Sequence, residues 1–196
     1  MTAGLILAGG AGRRMGGLDK PLLKLGDRTL LQHVIDRLAP QLGPLALSAN
    51  GEPARYACYG LPVLADEVPD QGPLAGLLRG LDWAAAAGCS TLVSVPGDTP
   101  FIPDNLLGAL SPAPAVAVSD GRRHHLVAHW PVECRMDLRS FLAADDRRSV
   151  FVFSRLLGMR EVEFGLPDPF FNINTPDDLA AAAERLAPSP PAPARG

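Results

Sequence analysis

A glycine-rich stretch near the N-terminus carries most of the groups that could bind an anion. Residues 7–25 read LAGGAGRRMGGLDKPLLKL. Glycines let backbone N–H groups approach a ligand without a Cβ in the way, and basic side chains suit a triphosphate. The stretch matches neither GxGxxG, because Met15 occupies the place of the third glycine, nor the Walker A pattern. A flexible loop with solvated arginines is the alternative. Its basic residues are Arg13, Arg14, Lys20 and Lys24.

A single carboxylate follows the apolar, β-branched run TLVSV at residues 91–95. Asp98 lies in the sequence PGDTP just after that run, so we expect it at the carboxyl end of a strand, where open α/β sheets bind ligands. Mg²⁺ prefers oxygen ligands and keeps several waters, so one or two carboxylates with substrate phosphates can hold it. Asp98 is therefore the candidate metal ligand. A structural aspartate in a turn between two prolines explains the residue equally well.

Two polar residues also end predicted strands and could recognise a base. Asn50 and Asp66 together offer amide and carboxylate groups that could pair with donors and acceptors on the edge of a nucleotide base. Capping of strand ends is the structural alternative. Further along the chain, Asn172 and Asn174 precede the last helix, and we expect only one of them to face the site. His125 and His129 are expected to share a strand face, too far apart to bind one metal ion.

The elements that must position these residues alternate between strand and helix. The periodicity predicts an α/β fold with a three-layer, doubly wound, mainly parallel sheet. A single domain is expected over residues 1–186, followed by a Pro-rich disordered tail over residues 187–196. Strands are predicted at residues 3–8, 45–49, 62–65, 91–95, 115–119 and 126–130. Helices are predicted around residues 30–38, from 73 to a glycine cap at 88, over most of 134–158, and at 176–186.

Composition excludes several classes of protein. With 196 residues, 47% hydrophobic and 20% charged, the chain suits one globular domain with a sizeable core. The net charge of −3 gives no general attraction to nucleic acid or an anionic membrane, so neither is expected as a partner. The three cysteines are widely spaced, and the apolar run at the N-terminus is too short for a signal peptide or a membrane span. Together these features predict a cytoplasmic protein.

The motifs resemble those of one known family. LAGG, RRMGG and DKPL resemble the signature of the molybdenum cofactor guanylyltransferases. Five further stretches agree with that family in order and spacing: SAN at 48–50, ADE at 65–67, GPLAG at 72–76, PGDTP at 96–100 and NINTP at 172–176. The resemblance implies a Rossmann-like nucleotidyltransferase fold. It also implies transfer of GMP from GTP to the phosphate of molybdopterin or the molybdenum cofactor, with release of pyrophosphate.

The resemblance also implies roles for individual residues. Asp98 would hold Mg²⁺, and Arg14 and Lys20 would contact the triphosphate, which makes these three the expected catalytic residues. Cofactor-insertion proteins and apo-molybdoenzymes are candidate partners for the product. The residues expected to bind the nucleotide are Leu7, Ala8, Gly9, Gly10, Lys20, Asn50, Asp66 and Asp98.

The sequence is also compatible with two other functions. A cytidylyltransferase acting on the same cofactor is the nearest alternative, and such relatives tend to carry Ala where Gly9 stands. A non-catalytic carrier of the pterin is the alternative from another class, although Lys20 and Asp98 argue against binding alone. The segment GRRHHLVAHW departs from the family, so contact of Arg123 or His124 with the pterin stays open.

Overall fold

The structure is a computed structural model that describes residues 1–9, 19–65, 72–144 and 149–186. Gly10, Arg14 and Asp66 lie outside the described residues, as does the predicted tail at 187–196. Within the described part of the chain, no helix is both long enough and apolar enough to cross a bilayer.

A seven-stranded sheet forms the middle of the molecule, in the order β5-β4-β1-β6-β8-β7-β9. Strands β5, β4, β1 and β6 run parallel, β8 is antiparallel to both of its neighbours, and β7 pairs in parallel with β9. The predicted mainly parallel sheet is therefore confirmed. The bounds of its strands are β1 Thr2–Leu7, β4 Leu45–Ser48, β5 Val63–Leu64, β6 Thr91–Pro96, β7 Ala115–Ser119, β8 Arg122–Pro131 and β9 Arg160–Phe164. A separate short hairpin comprises β2 Lys24–Leu25 and β3 Arg28–Thr29.

Helices cover both faces of the sheet, as the three-layer prediction requires. Successive residues of a strand point to opposite faces, so Ile6 packs with the helices α1 and α3, whereas Leu5 packs with α2, α4 and α5. The last helix, α6, closes a smaller cluster around Leu25, Leu30 and Ile173. The helices are α1 Leu30–Leu38, α2 Pro73–Ala86, α3 Leu106–Leu110, α4 Arg135–Ala144, α5 Val150–Leu156 and α6 Pro176–Leu186.

Local signals predicted the start of α6 and the end of α2. At the start of α6, the Asp178 N–H donates to Thr175 Oγ1 at 3.1 Å, and the Thr175 N–H donates to Asp178 Oδ2 at 2.8 Å. This reciprocal pair is a capping box. After α2, Gly88 has φ 71°, and the Cys89 N–H donates to Ala84 O at 2.9 Å, so the helix ends in a left-handed glycine as predicted.

The expectation that His125 and His129 share a strand face was wrong. The pairing of β7 with β8 shifts register between Val116 and Ala117 of β7, opposite a bulge formed by residues 125–127 of β8. On β8, His125 packs against the ring of Phe151 in α5 at 5.4 Å between centroids. His129 Nδ1 donates to Leu110 O of α3 at 3.3 Å. The two histidines therefore lie on opposite faces of the sheet, because a bulge breaks the alternation that the prediction assumed.

Candidate active site

A cleft of about 630 Å³ opens at the carboxyl ends of β1, β4 and β6. Parallel strands bring their carboxyl ends to one edge of a sheet, and ligands of open α/β folds bind beyond that edge. Three segments that the sequence analysis singled out contribute to its walls: residues 7–9, Asn50, and the Asp98 region. The start of α2 also borders the cleft through Gly72, Pro73 and Gly76.

The end of β1 turns away from the sheet over β4. The N–H groups of Ala8 and Gly9 both donate to Ser48 O, at 2.8 and 2.9 Å. A Cβ built on Gly9 would lie 3.6 Å from the same carbonyl oxygen, which is ordinary van der Waals contact. The fold would therefore accept alanine at this position, so any intolerance of alanine there would come from the ligand. Leu7 also lines the cleft, and both it and Ala8 are largely buried.

Asp98 follows β6 and lines the cleft as a partly buried carboxylate. Asn172 Nδ2 donates to Asp98 Oδ1 at 3.0 Å, and the Ile173 N–H donates to the backbone carbonyl of Asp98 at 3.1 Å. Burial raises the pKa of Asp98 above its ordinary value, and the charge of Lys20 and the bond from Asn172 offset part of that rise. A carboxylate destabilised in this way favours an added cation.

Lys20 lies on a 3₁₀ turn, Lys20–Leu22, that packs directly on the end of β6. A Cβ on Gly97 would lie 3.3 Å from Pro21, so the absence of a side chain at Gly97 lets the turn come this close. Lys20 Nζ donates to Asn174 Oδ1 at 2.5 Å. The turn thus brings the ammonium group near Asp98, where its charge lowers the pKa of that carboxylate.

Both asparagines before α6 bind residues of the site, which corrects the expectation that only one would face it. Asn172 lines the cleft and binds Asp98, and Asn174 binds Lys20. Residues two apart in an extended segment share a face, so both asparagines can reach the site.

Two cleft residues were missed by the sequence analysis, namely Asp19 and Tyr56. Tyr56 lies on the 3₁₀ helix Pro53–Tyr59 and donates from its hydroxyl to Asp19 Oδ2 at 3.2 Å. Asp19 could have been noticed because it precedes Lys20 in DKPL. Nothing in the local sequence marks Tyr56, since its role depends on a contact with a residue 37 positions away.

Two residues considered for the second substrate lie elsewhere. His124 packs against the ring of Phe170 at 5.0 Å, and Arg123 forms an ion pair with Glu161. Neither lines the cleft, although Leu126 on the same strand does. In the described ranges, no three or more His, Cys, Asp or Glu side chains cluster closely enough to hold a metal ion by themselves. Within those ranges, no second carboxylate joins Asp98 in such a cluster.

The arrangement of the cleft indicates a class of protein. An open α/β sheet that presents a lysine and a partly buried carboxylate together at its carboxyl edge is suited to polyphosphate chemistry, since the two groups bind anionic oxygens and a cation. The class is a nucleotide-dependent transferase.

Comparison with known proteins identifies the family within that class. The model of the MobA-like NTP transferase domain matches residues 4–158, and the chain belongs to this family. A molybdenum cofactor guanylyltransferase of Mesorhizobium japonicum is 52% identical over 199 aligned residues, covering 94% of this chain and 95% of the relative. One from Acidiphilium cryptum is 54% identical, with 91% and 92% covered. The family resemblance read from the motifs is confirmed.

Solved structures support the fold independently. Molybdopterin-guanine dinucleotide biosynthesis protein A from Archaeoglobus fulgidus has a TM-score of 0.72 at 22% identity, with 94% of this chain and 98% of that chain covered. A 4-diphosphocytidyl-2C-methyl-D-erythritol synthase from Anaerococcus prevotii has a TM-score of 0.69 at 11% identity, with 95% and 96% covered. The predicted Rossmann-like nucleotidyltransferase fold is thereby confirmed.

Proposed function

We propose that this chain transfers GMP from GTP to the phosphate of the molybdenum-pterin cofactor. The observation that carries the proposal is that Lys20 and Asp98 line the same cleft beside the end of β1, close enough for the charge of Lys20 to lower the pKa of Asp98. The two relatives described above, which share about half of their residues with this chain, are named for the same guanylyl transfer.

The reaction is an in-line displacement at the α-phosphorus of GTP. An oxygen of the pterin phosphate forms a bond to that phosphorus while the bond to the bridging oxygen of the β-phosphate breaks, and pyrophosphate leaves with the electron pair. The attacking phosphate is already ionised at neutral pH, so no general base is needed. Catalysis then consists of alignment and of stabilising negative charge spread over the phosphoryl oxygens.

The chain's basic groups carry out that stabilisation. Lys20, held by Asn174, binds phosphate oxygens of the nucleotide, and Arg14 in the adjoining glycine-rich stretch binds others. The backbone of Leu7, Ala8, Gly9 and Gly10 cradles the nucleotide.

Asp98 has the chemistry that a divalent ion requires. Its charged form is destabilised by burial, and Asn172 donates a hydrogen bond to Oδ1 of its side chain. The other oxygen is suited to coordinate Mg²⁺. When bound, the ion neutralises charge on the phosphates.

Asn50 and Asp66 recognise the guanine base in this proposal. Asn50 lines the cleft beyond the carboxyl end of β4, on the side away from Asp98. An amide and a carboxylate match the N1–H, amino and O6 groups of guanine. This division of the cleft would leave the base at β4 and the phosphates at β6.

The cellular setting follows from the same proposal. The protein functions in the cytoplasm as one domain over residues 1–186, and passes its product to cofactor-insertion proteins or apo-molybdoenzymes. All three cysteines are unpaired, which suits a reducing compartment.

Nucleotide choice tests the proposed function. Pyrophosphate release is measured with the pterin substrate and GTP, CTP or ATP, and we expect GTP to exceed CTP at least tenfold in kcat/KM, about 1.4 kcal/mol. Gly9→Ala is the informative variant because the fold accommodates its methyl group. This variant should lower the ratio of kcat/KM for GTP to kcat/KM for CTP, and its Tm should not fall.

Two outcomes would contradict the proposal. Higher turnover of CTP would favour the cytidylyltransferase. Tight binding of the pterin without pyrophosphate release from any nucleotide would favour the carrier.

A further inference from the structure

Asp19 is an acidic residue inside a cleft whose proposed ligand is strongly anionic. Its side chain is 23% exposed and lines the cleft next to Lys20. A free carboxylate there would repel phosphates. Its presence therefore calls for a physical explanation.

Two described side chains hold the Asp19 carboxylate through one of its oxygens. Arg55 Nη2 forms an ion pair with Asp19 Oδ2, and the Tyr56 hydroxyl donates to the same oxygen at 3.2 Å. Within the described parts of the chain, the other oxygen, Oδ1, receives no hydrogen bond from a side chain or the backbone. One oxygen is thus committed to the protein and the other is left available to a ligand.

The supporting residues are themselves anchored. Tyr56 is buried in the core between the sheet and α1, and Tyr59, one turn further on, forms a 2.7 Å hydrogen bond with Thr29. Thr29 in turn caps α1 by accepting from the Gln32 N–H at 3.1 Å. The position of the Asp19 carboxylate is therefore set by the folded core.

The pair with Arg55 also restricts what the ligand can be. The guanidinium neutralises the carboxylate, which removes most of the repulsion towards phosphates, and it would repel a divalent cation that approached Oδ1. The chemistry that remains favourable is a neutral hydrogen-bond donor. A hydroxyl group fits this requirement.

The location of Asp19 in the cleft indicates that the hydroxyl belongs to a ribose. Asp19 adjoins Lys20 in sequence, and its partner Arg55 lies over Gly51, where a Cβ would be 3.7 Å from Arg55 Nη1. Gly51 directly follows Asn50, so Asp19 lies between the proposed phosphate-binding and base-binding groups. In a nucleotide, the ribose occupies that place.

We infer that Asp19 Oδ1 accepts a hydrogen bond from a ribose hydroxyl of the bound nucleotide, so that Asp19 makes the enzyme selective for ribonucleotides. Arg55 and Tyr56 act as positioning residues through Oδ2. The inference rests on the proposed binding of GTP in this cleft.

The experiment compares GTP with 2′-deoxy-GTP and 3′-deoxy-GTP in the full chain, by kcat/KM for pyrophosphate release and by equilibrium binding. A hydrogen bond to a charged acceptor corresponds to about ten- to a hundredfold. Wild type should prefer GTP over at least one deoxy analogue by that factor. In Asp19→Ala the same ratio should fall to within about twofold of unity.

Tyr56→Phe is the matched control, because it removes a bond to Oδ2 and leaves Oδ1 in place. Arg55 still holds Oδ2 in this variant, so the ratio of GTP to the deoxy analogue should change by no more than about twofold, much less than in Asp19→Ala. If Asp19→Ala folds poorly, Asp19→Asn provides the second test. Arg55 and Tyr56 both donate to the Oδ2 position, so the amide oxygen takes that position and the NH2 group faces the ligand. The acceptor is thereby lost, and the ratio should fall at least about threefold.

The outcomes separate the two proposals. If wild type turns over GTP but accepts both deoxy analogues equally, the inference about Asp19 is overturned and the proposed function stands. Retention of the full ratio in a folded Asp19→Ala protein also overturns it. If wild type neither binds nor turns over GTP, the proposed function fails and the inference fails with it.

Discussion

At the scale of single residues, Asp98 and Lys20 should fail in different ways when replaced. Asp98→Asn keeps the shape and the ability to accept from Asn172 Nδ2, but it removes the charge proposed to hold Mg²⁺. We expect kcat to fall by roughly two orders of magnitude or more, with partial rescue by added Mg²⁺. Lys20→Ala should also raise the KM for GTP, because the ammonium binds phosphates before and during reaction. Steady-state kinetics over a range of Mg²⁺ concentrations measure both effects.

The raised pKa of Asp98 adds a dependence on pH to this prediction. Because burial raises the pKa, the carboxylate is protonated at a higher pH than an ordinary aspartate, so activity at low Mg²⁺ should decline earlier on acidification. Saturating Mg²⁺ favours the charged form and should move the decline to lower pH. The raised pKa also affects stability. The pKa of Asp98 is higher in the folded protein than in the unfolded chain, so the free energy of unfolding falls as pH rises between these two values. A folded Asp98→Asn protein with near-normal kcat would exclude the proposed role.

At the scale of secondary structure, the capping box of α6 connects helix stability with the site. Asp178 Oδ2 accepts from the N–H groups of Thr175 and Asn174, both at 2.8 Å, and Asn174 holds Lys20. Asp178→Ala should therefore lower the free energy of unfolding by about 1 kcal/mol and raise the KM for GTP. Thermal unfolding and kinetics provide the two measurements.

The neighbouring Asp177 supplies a matched control for that prediction, since it shares the first turn of α6 but accepts neither capping bond. Asp177→Ala should change both quantities little. The backbone bond from Asn174 is the largest cause of the lowered pKa of Asp178, so its stabilisation is present above the unfolded pKa. It should be lost as pH falls through the lowered folded value. Equal effects of the two substitutions at neutral pH would contradict the assignment.

At the scale of the whole molecule, the functional domain should end with α6. Arg185 Nη1 donates to Asp168 O at 2.6 Å, and its guanidinium lies 4.1 Å from the centre of the Phe101 ring. Phe101 directly follows the segment that carries Asp98, so Arg185 secures α6 to the back of the site. Deletion of residues 187–196 should leave Tm and kcat/KM unchanged.

Arg185→Ala in the full chain should instead lower the free energy of unfolding by about 2 kcal/mol, a shift of several degrees in Tm. Arg37→Ala is the control, because the ion pair of Arg37 with Asp104 is exposed and should contribute less than about 1 kcal/mol. A large loss of stability on deleting the tail would show that it packs on the domain or on a partner.

Features set by residues close together in the sequence could be predicted, whereas features that depend on contacts between distant residues could not. Apolar periodicity and helix caps are local, so the sequence by itself determined the fold class, the bounds of α6 and the positions of the glycine-rich and PGDTP motifs. Strand β9 was not predicted, because REVEF is a largely exposed edge strand with charged residues and no buried apolar run. The position of β8 between β6 and β7, and the bulge that separates His125 from His129, depend on pairing between strands.

Only the tertiary structure decided how the site residues meet. Asn172 binds Asp98 across 74 positions, and Lys20 binds Asn174 across 154. The motifs placed each of these residues near a strand or helix end, but no local pattern specifies the direction of a side chain towards a distant partner. The Asp19 carboxylate shows the same limit: its identity is plain in DKPL, whereas its available oxygen exists because the folded core carries Arg55 and Tyr56 to its other side.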